Sequence, residues 1–469
     1  MGTGVRAATP PGTACAGPQP DVPTIPVVSL SSAKASSPPA EGLDVRPFRA
    51  LTYRRRDPEF LARVSSPAYD LVTPSDRNSL ADADPHNDVR LILPRVDAAP
   101  EGETLHLSAD PVGRSAQLAE ATLRSWREQG VLAQDDGPGL WLYELVPSDG
   151  TPPTVGWLGA VGLPPADSTA VLPHEDTYPV AVEGRRALLA ATRTDLEPIV
   201  LAHDPEPAVS ALTERAGRGS PAIEVVDGDG VRHRLWQVTE PALVAEVRSA
   251  LARTRAVIAD GHHRFAAAQA HHRACPDVPG SDAVLALVTS SGAGGLRVEA
   301  IHRVVPDLPL DGAVAAAGRG FSVEEVPVPS GADLTGTTRT WLRAAPAQTF
   351  LLSDGRRLVA LSRATADTLA AVPAGAPPAW RSLDVVLAHH GLIDRLWRVP
   401  DEPASLLIAH AIGPALQMAA ERAGTALLLR APSPGDVAAV ARAGARMPRK
   451  STLFVPKPRT GLVLRPLGD

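Results

Sequence analysis

"AVIADGHHRFAAAQAHHR", residues 256–273, sets four histidines, two arginines and one aspartate behind a short apolar run. The run Ala256–Ala259 suits a buried strand, Asp260-Gly261 a tight exit, and the alanines 266–268 a helix. A strand that hands over to a helix in this way brings the free N–H groups and the positive end of the helix dipole to the junction. His262, His263 and Arg264 fall on that first turn, where an anion is favoured, and arginine adds bidentate, charge-assisted hydrogen bonds to phosphate. Two other readings use the same residues. In one, Asp260 merely caps the helix. In the other, His271 and Cys275 at i, i+4 bind a metal, with His262, although zinc asks for three or four ligands and the rest cannot be named from sequence.

The chain around this stretch has 469 residues, enough for two or three domains with cores of their own. A net charge of −6 argues against nucleic acid as the main partner, because neutralising phosphates needs a concentrated basic surface. Two cysteines, Cys15 and Cys275, cannot build a disulfide framework, which fits a reducing compartment. No continuous apolar segment reads as a secretory signal or a membrane span, so a cytoplasmic protein is expected. Of 46 basic residues only Lys34, Lys450 and Lys457 are lysines, and two of these lie seven positions apart near the end.

Residues 1–43, rich in Pro, Ala, Ser, Thr and Gly without helical or strand period, read as a disordered tail. The folded part is expected as a core over 44–309 and a C-terminal region over 310–469. "VRLILPR" (89–95) reads as a strand, "SAQLAEATLRSWREQGVL" (115–132) as an amphipathic helix stopped by Gly130, and "GLWLYELV" (139–146) with "TVGWLGAVGL" (154–163) as paired strands. "AIEVVDGDGVRHRLWQVT" (222–239) is a hairpin around Asp-Gly turns. "DAVLALVTSSGAGGLRVEAIHRVV" (282–305) gives two strands around a glycine-rich turn, "LDVVLAHHGLIDRLW" (383–397) a helix, and "STLFVPKPRTGLVLRPL" (451–467) a closing hairpin. Mixed order with several hairpins predicts an α+β architecture.

Two further segments carry candidate chemistry. "LPHEDTYP" (172–179) holds His174 and Glu175 on a loop between prolines, where a general base or a magnesium-associated carboxylate can be held still, with Thr177 in reach of a phosphate; an ordinary polar loop is the equal alternative. "GARMPRKST" (444–452) resembles a P-loop but has Arg449, behind Pro448, where the second glycine must sit, so the backbone cannot wrap phosphates. Lys450 remains a candidate point charge. No G-x-S-x-G elbow, H-E-x-x-H, C-x-x-C or dinucleotide G-x-G-x-x-G is present.

In order along the chain, "VRPFRALTY", "SSPAYDLVTPSDR", "NDVRLILPR", "VLPHEDT", "AATRTDLEPI", "VIADGHHRFAAA", "AIHRVV" and "MPRKSTLFVPKPRTGLVLRPL" resemble a bacterial and archaeal family. It is number one thousand and fifteen among the domains of unknown function, and the resemblance covers about residues 44 to 467. Its DGHHR segment is similar to the phosphate-binding G-x-x-R box of the ParB/sulfiredoxin-like superfamily, which includes free L-serine kinases. The resemblance implies a ParB/sulfiredoxin-like mixed sheet core with helices, plus a C-terminal α/β region. It implies that Gly261, His262, His263 and Arg264, with Thr177 and Lys450, hold the phosphates of ATP or ADP. It implies Asp260 and Glu175 as contacts for Mg²⁺, and Glu175, Asp260, His174 and Asp70 as the catalytic set. The chain departs from the expected pattern at Ala68, at Asp176 and near Glu197. Three functions stay open: phosphoryl transfer from a nucleotide to free serine or a similar hydroxyl, a non-catalytic nucleotide-binding switch of the ParB kind, and metal-dependent phosphoester hydrolysis.

Overall fold

A computed structural model describes residues 42–95, 111–292, 294–329, 331–400, 402, 404–448 and 450–468. The expected N-terminal tail, apart from its last two residues, lies outside them. The architecture is α+β and is built on two large sheets. The first runs, in spatial order, Val171–Leu172, Ala256–Asp260, Ile199–His203, Ala283–Ser290, Thr154–Gly162, Leu140–Val146, Arg232–Val238 and Ile223–Val226, with Val45–Arg46 paired to Thr154–Gly162. It is mixed. Ala256–Asp260 lies parallel to Val171–Leu172 and antiparallel to Ile199–His203, which is in turn parallel to Ala283–Ser290.

The sheet is buried on both faces because its central strands are apolar at successive positions, not at alternate ones. Along Ala283–Ser290, Leu285 and Leu287 enter one apolar cluster with Trp141, Tyr143 and Leu158, while Val284, Ala286 and Val288 enter another with Trp157, Leu201 and Ile258. The second sheet is antiparallel throughout: Ser322–Val326, Leu358–Ser362, Phe350–Ser353, Thr425–Leu428, His302–Val305, Leu407–Ala409. One cluster joins the two, since Val200, Ala202, Val257 and Ala259 of the first sheet pack with Phe350, Leu352 and Leu427 of the second. The motif strand therefore has the second sheet's core as its neighbour.

Local patterns translate directly in several places. The paired strands at 139–163 are antiparallel neighbours, and Asp227 Oδ1 closes the hairpin turn by accepting from the N–H groups of Asp229 and Val231. The expected helix at 115–132 spans Pro111–Glu128, and Gly130 beyond it takes φ +69°. Three expectations are corrected. "VRLILPR" is a short helix, Val89–Ile92, all but Arg90 buried. The segment 282–305 does not fold on itself: Ala283–Ser290 joins the first sheet, Arg297–Glu299 pairs with Leu453–Val455, and His302–Val305 joins the second sheet. The closing hairpin is absent too. Leu453–Val455 takes Arg297–Glu299 as partner and Arg465–Pro466 takes Thr194–Asp195, so the end of the chain is sewn into the first body. Buried Arg465 fixes it there, with Nη1 2.5 Å from Asp195 Oδ2 and 3.0 Å from the Ala283 carbonyl. No helix among the described residues is long and apolar enough to cross a membrane.

Candidate functional site

The strand Ala256–Asp260 passes into the helix His262–Ala274 through Gly261 at φ +92°. That conformation, and the close approach of Ile199, require glycine: a Cβ would stand 2.7 Å from Ile199 Cγ2. No side chain caps the helix. Asp260, expected as a cap on the plainest reading, turns instead to two cations. Its Oδ2 accepts from Arg264 Nη2 at 2.5 Å and its Oδ1 lies 2.7 Å from Lys457 Nζ. The first turn thus keeps its positive end without a protein carboxylate on it.

Arg264 is nearly buried, and its guanidinium does not face an open cleft. Nη1 donates to the Pro198 carbonyl at 2.7 Å and lies 4.0 Å from Glu197, and the group sits 5.6 Å from the centre of the Tyr69 ring. Burial opposes its charge, but Glu197 and Asp260 outweigh burial and hold its pKa above the ordinary value. Glu197 also lies 3.8 Å from Arg185, which stacks on Tyr69 at 3.8 Å, and accepts from the Tyr69 N–H at 3.0 Å. The cavity bounded by Arg264, Glu197 and Arg185 measures about 40 Å³, room for one or two waters. The expectation that Arg264 presents itself to a phosphate meets a guanidinium already held by protein groups.

Lys457 bridges Asp260 to Asp70, which stands at the rim with 40% of its side chain exposed. Burial opposes the lysine's charge, yet the two carboxylates raise its pKa. Asp260, which burial alone would push up, is held below the usual carboxylate range by Lys457 and Arg264.

The loop before the helix Pro179–Thr192 is clamped onto the motif by histidines acting as acceptors. His262 Nε2 accepts from the His174 N–H and His263 Nε2 from the Tyr178 N–H, each at 3.1 Å. The His174 and His262 rings meet edge to face at 4.5 Å, while His263 stacks on Tyr178 at 5.8 Å. Burial pulls His174 down to about 4, and burial followed by the charge of His174 takes His262 well below its ordinary value. Both rings are neutral at pH 7, as an acceptor nitrogen requires. His174 Nε2 lies 3.2 Å from Thr452 Oγ1, which is 3.5 Å from Glu175 Oε1. Burial raises the Glu175 carboxyl above its ordinary value, and Lys450 partly offsets this.

The structure brings together Asp70, His174, Glu175, Asp260, Gly261, His262, His263 and Arg264 from three distant segments, and Lys450 and Lys457 from a fourth. Thr177 is half-buried on the same loop, and Lys450 is exposed at a left-handed φ of 51°. Sequence reasoning missed Lys457, Glu197, Tyr69, Arg185 and Thr452. Lysine scarcity was a usable signal for Lys457. A cavity of about 630 Å³ is lined by Pro448 and Lys450 on one side and walled by Trp380, Leu406 and Met418; small-molecule sites commonly have this size. Mg²⁺ does not fit at Asp260 in this arrangement, because both carboxylate oxygens are engaged by cations. His271, Cys275 and His262 form no metal cluster among the described residues.

The family model described as "Protein of unknown function (DUF1015)" matches residues 45–386, and the chain belongs to that family. No curated protein matches in sequence. Among solved structures, a free serine kinase in complex with AMP is 15% identical with a TM-score of 0.30, over 61% of this chain and 84% of that one. A conserved hypothetical protein from Pyrococcus furiosus is 14% identical with a TM-score of 0.28, over 61% and 87%. A C-terminally truncated SbnI from Staphylococcus aureus is 12% identical with a TM-score of 0.32, over 64% and 82%.

Proposed function

We propose that this family member is a small-molecule phosphotransferase that binds the phosphates of ATP or ADP at the start of the motif helix and phosphorylates the hydroxyl of free serine or a similar acceptor. One observation carries the reading: an uncapped helix N-terminus stands in one cluster with a half-buried carboxylate of raised pKa, Glu175, and an exposed lysine, Lys450. Helix amides and a lysine suit phosphate oxygens. Glu175, with its raised pKa, suits the proton of an attacking hydroxyl.

In this reading Glu175 takes the hydroxyl proton as the oxygen attacks the terminal phosphorus. The new P–O bond forms while the bridging P–O bond breaks, and the shortened nucleotide leaves with that electron pair. Thr452 orients Glu175. Asp260 and Arg264 are positioning residues, fixing the Gly261 turn and Lys457. Any Mg²⁺ comes with the nucleotide and offsets the charge of its phosphate oxygens.

The test is to incubate the purified chain with Mg²⁺, ATP or ADP and L-serine beside other amino and hydroxy acids, and to follow phosphorus NMR. A phosphomonoester that Glu175→Gln fails to make is the expected result. Inorganic phosphate without acceptor turns the reading into a hydrolase, and bound nucleotide without turnover into a switch. No nucleotide binding ends it.

A further inference from the structure

The segment read as a plain helix over 383–397 changes character along its length: Asp384–Leu387 is α-helical and Ala388–Trp397 is π-helical. Such wide turns are uncommon and gather at functional sites. Here the widening has a specific consequence. In an α-helix residues five apart point about 140° away from each other. With i→i+5 hydrogen bonding, Asp394 lies over both His389, five before it, and His390, four before it. Asp394 Oδ2 is 3.5 Å from His389 Nε2 and 3.4 Å from His390 Nδ1, and the two rings stand edge to face at 5.0 Å.

Those spacings match a coordination polyhedron. Ligands at about 2.0–2.1 Å from a tetrahedral ion are separated by about 3.3–3.4 Å along its edges. All three donor atoms lie within 4.8 Å of one another, and no other group of three His, Cys, Asp or Glu side chains among the described residues meets that condition. Both histidines line the 630 Å³ cavity that Lys450 also lines. An ion held there would keep its remaining position towards that cavity, as catalytic zinc sites do.

We infer that His389, His390 and Asp394 form a site for a borderline divalent transition metal of the Zn²⁺ type, with an open position facing the cavity. Two imidazoles and one carboxylate select such an ion over hard Mg²⁺. The inference is independent of the phosphotransferase reading.

The full chain, stripped with chelator, is titrated with ZnCl₂ by calorimetry, and with CoCl₂ while visible absorption is followed. One Zn²⁺ per chain, cobalt d–d bands of low coordination number, and at least tenfold weaker zinc binding in His390→Gln and in Asp394→Asn are expected, with MgCl₂ in excess failing to compete. Circular dichroism shows whether each variant is folded. Asp394 is 43% exposed, so its replacement decides the question even if a histidine variant does not fold. Absence of zinc binding, or zinc binding unchanged in folded Asp394→Asn, overturns the inference.

Discussion

Asp260 and Arg264 stand one turn apart across the Gly261 junction, and the guanidinium reaches back to the carboxylate at 2.5 Å with about nine-tenths of both side chains buried. The residue that most resembled a phosphate ligand is thereby a brace. It ties the last residue of the strand Ala256–Asp260 to the helix that follows, and through Pro198 and Glu197 to the neighbouring strand.

Arg264→Ala is therefore expected to act first on stability. Removing one partner leaves Asp260 and Glu197 with reduced compensation in a buried setting, a loss of roughly 3–5 kcal/mol. Urea unfolding at pH 7 measures it. A loss below about 1 kcal/mol, with nucleotide affinity strongly reduced, would return Arg264 to the phosphate.

Glu175→Gln should abolish transfer and leave nucleotide affinity near that of the wild type, since the amide keeps the shape and loses the base. Burial raises the Glu175 carboxyl, so turnover should climb with pH along a limb lying above the ordinary carboxylate value of 4.5. The pH–rate profile of kcat reads it out. Full activity in the variant removes Glu175 as the base.

The histidine clamp predicts acid sensitivity. His174 and His262 have folded pKa values below the unfolded 6.5, so between those values the unfolded chain binds more protons than the native one. The stabilising effect is complete above about pH 6.5 and is lost as pH falls towards 4, roughly 3 kcal/mol for His174 alone. Asp260 opposes this loss, while Arg446 adds to it for both rings and His263 for His262. His262→Gln keeps an acceptor near the Nε2 position without titrating, so its stability should fall less steeply over that interval. Equal slopes in urea unfolding across a pH series would count against the clamp.

The junction itself was legible, because an apolar run, Asp-Gly and strong helix formers follow in order. The hairpin at 222–239 was legible for the same local reason. What failed was one short apolar run and the non-local pairings. "VRLILPR" is too short for its apolar run to separate a strand from a buried helix. The strands at 282–305 and 451–467 pair with segments far away in the chain, and alternation says nothing about the partner. Arg264 illustrates the limit within the site. Its residue type announced an anion, but the anions are Asp260, four residues back, and Glu197, brought alongside by a separate strand. The π-helical turn left no trace in the apolar period either.

Asp88 gives a prediction of opposite sign. It is completely buried, its N–H bonds the Val64 carbonyl at 2.7 Å, and Gly461 packs so closely that a Cβ there would stand 2.7 Å from Asp88 Cβ. Burial pushes its carboxyl up to about 8, Glu197 adds to this, and Thr460 and Arg459 only partly offset it. The native chain holds this proton where the unfolded chain, with a pKa near 3.8, has released it. Stability should consequently decline as pH rises from about 4 to about 8, by about 1.4 kcal/mol per pH unit from this group. Asn has nearly the same shape and cannot ionise. Asp88→Asn should thus match the wild type near pH 4 and exceed it by several kcal/mol at pH 8, in urea unfolding or as a higher Tm. A variant less stable than wild type at pH 8 would mean that Asp88 is ionised in the fold and held by Arg459.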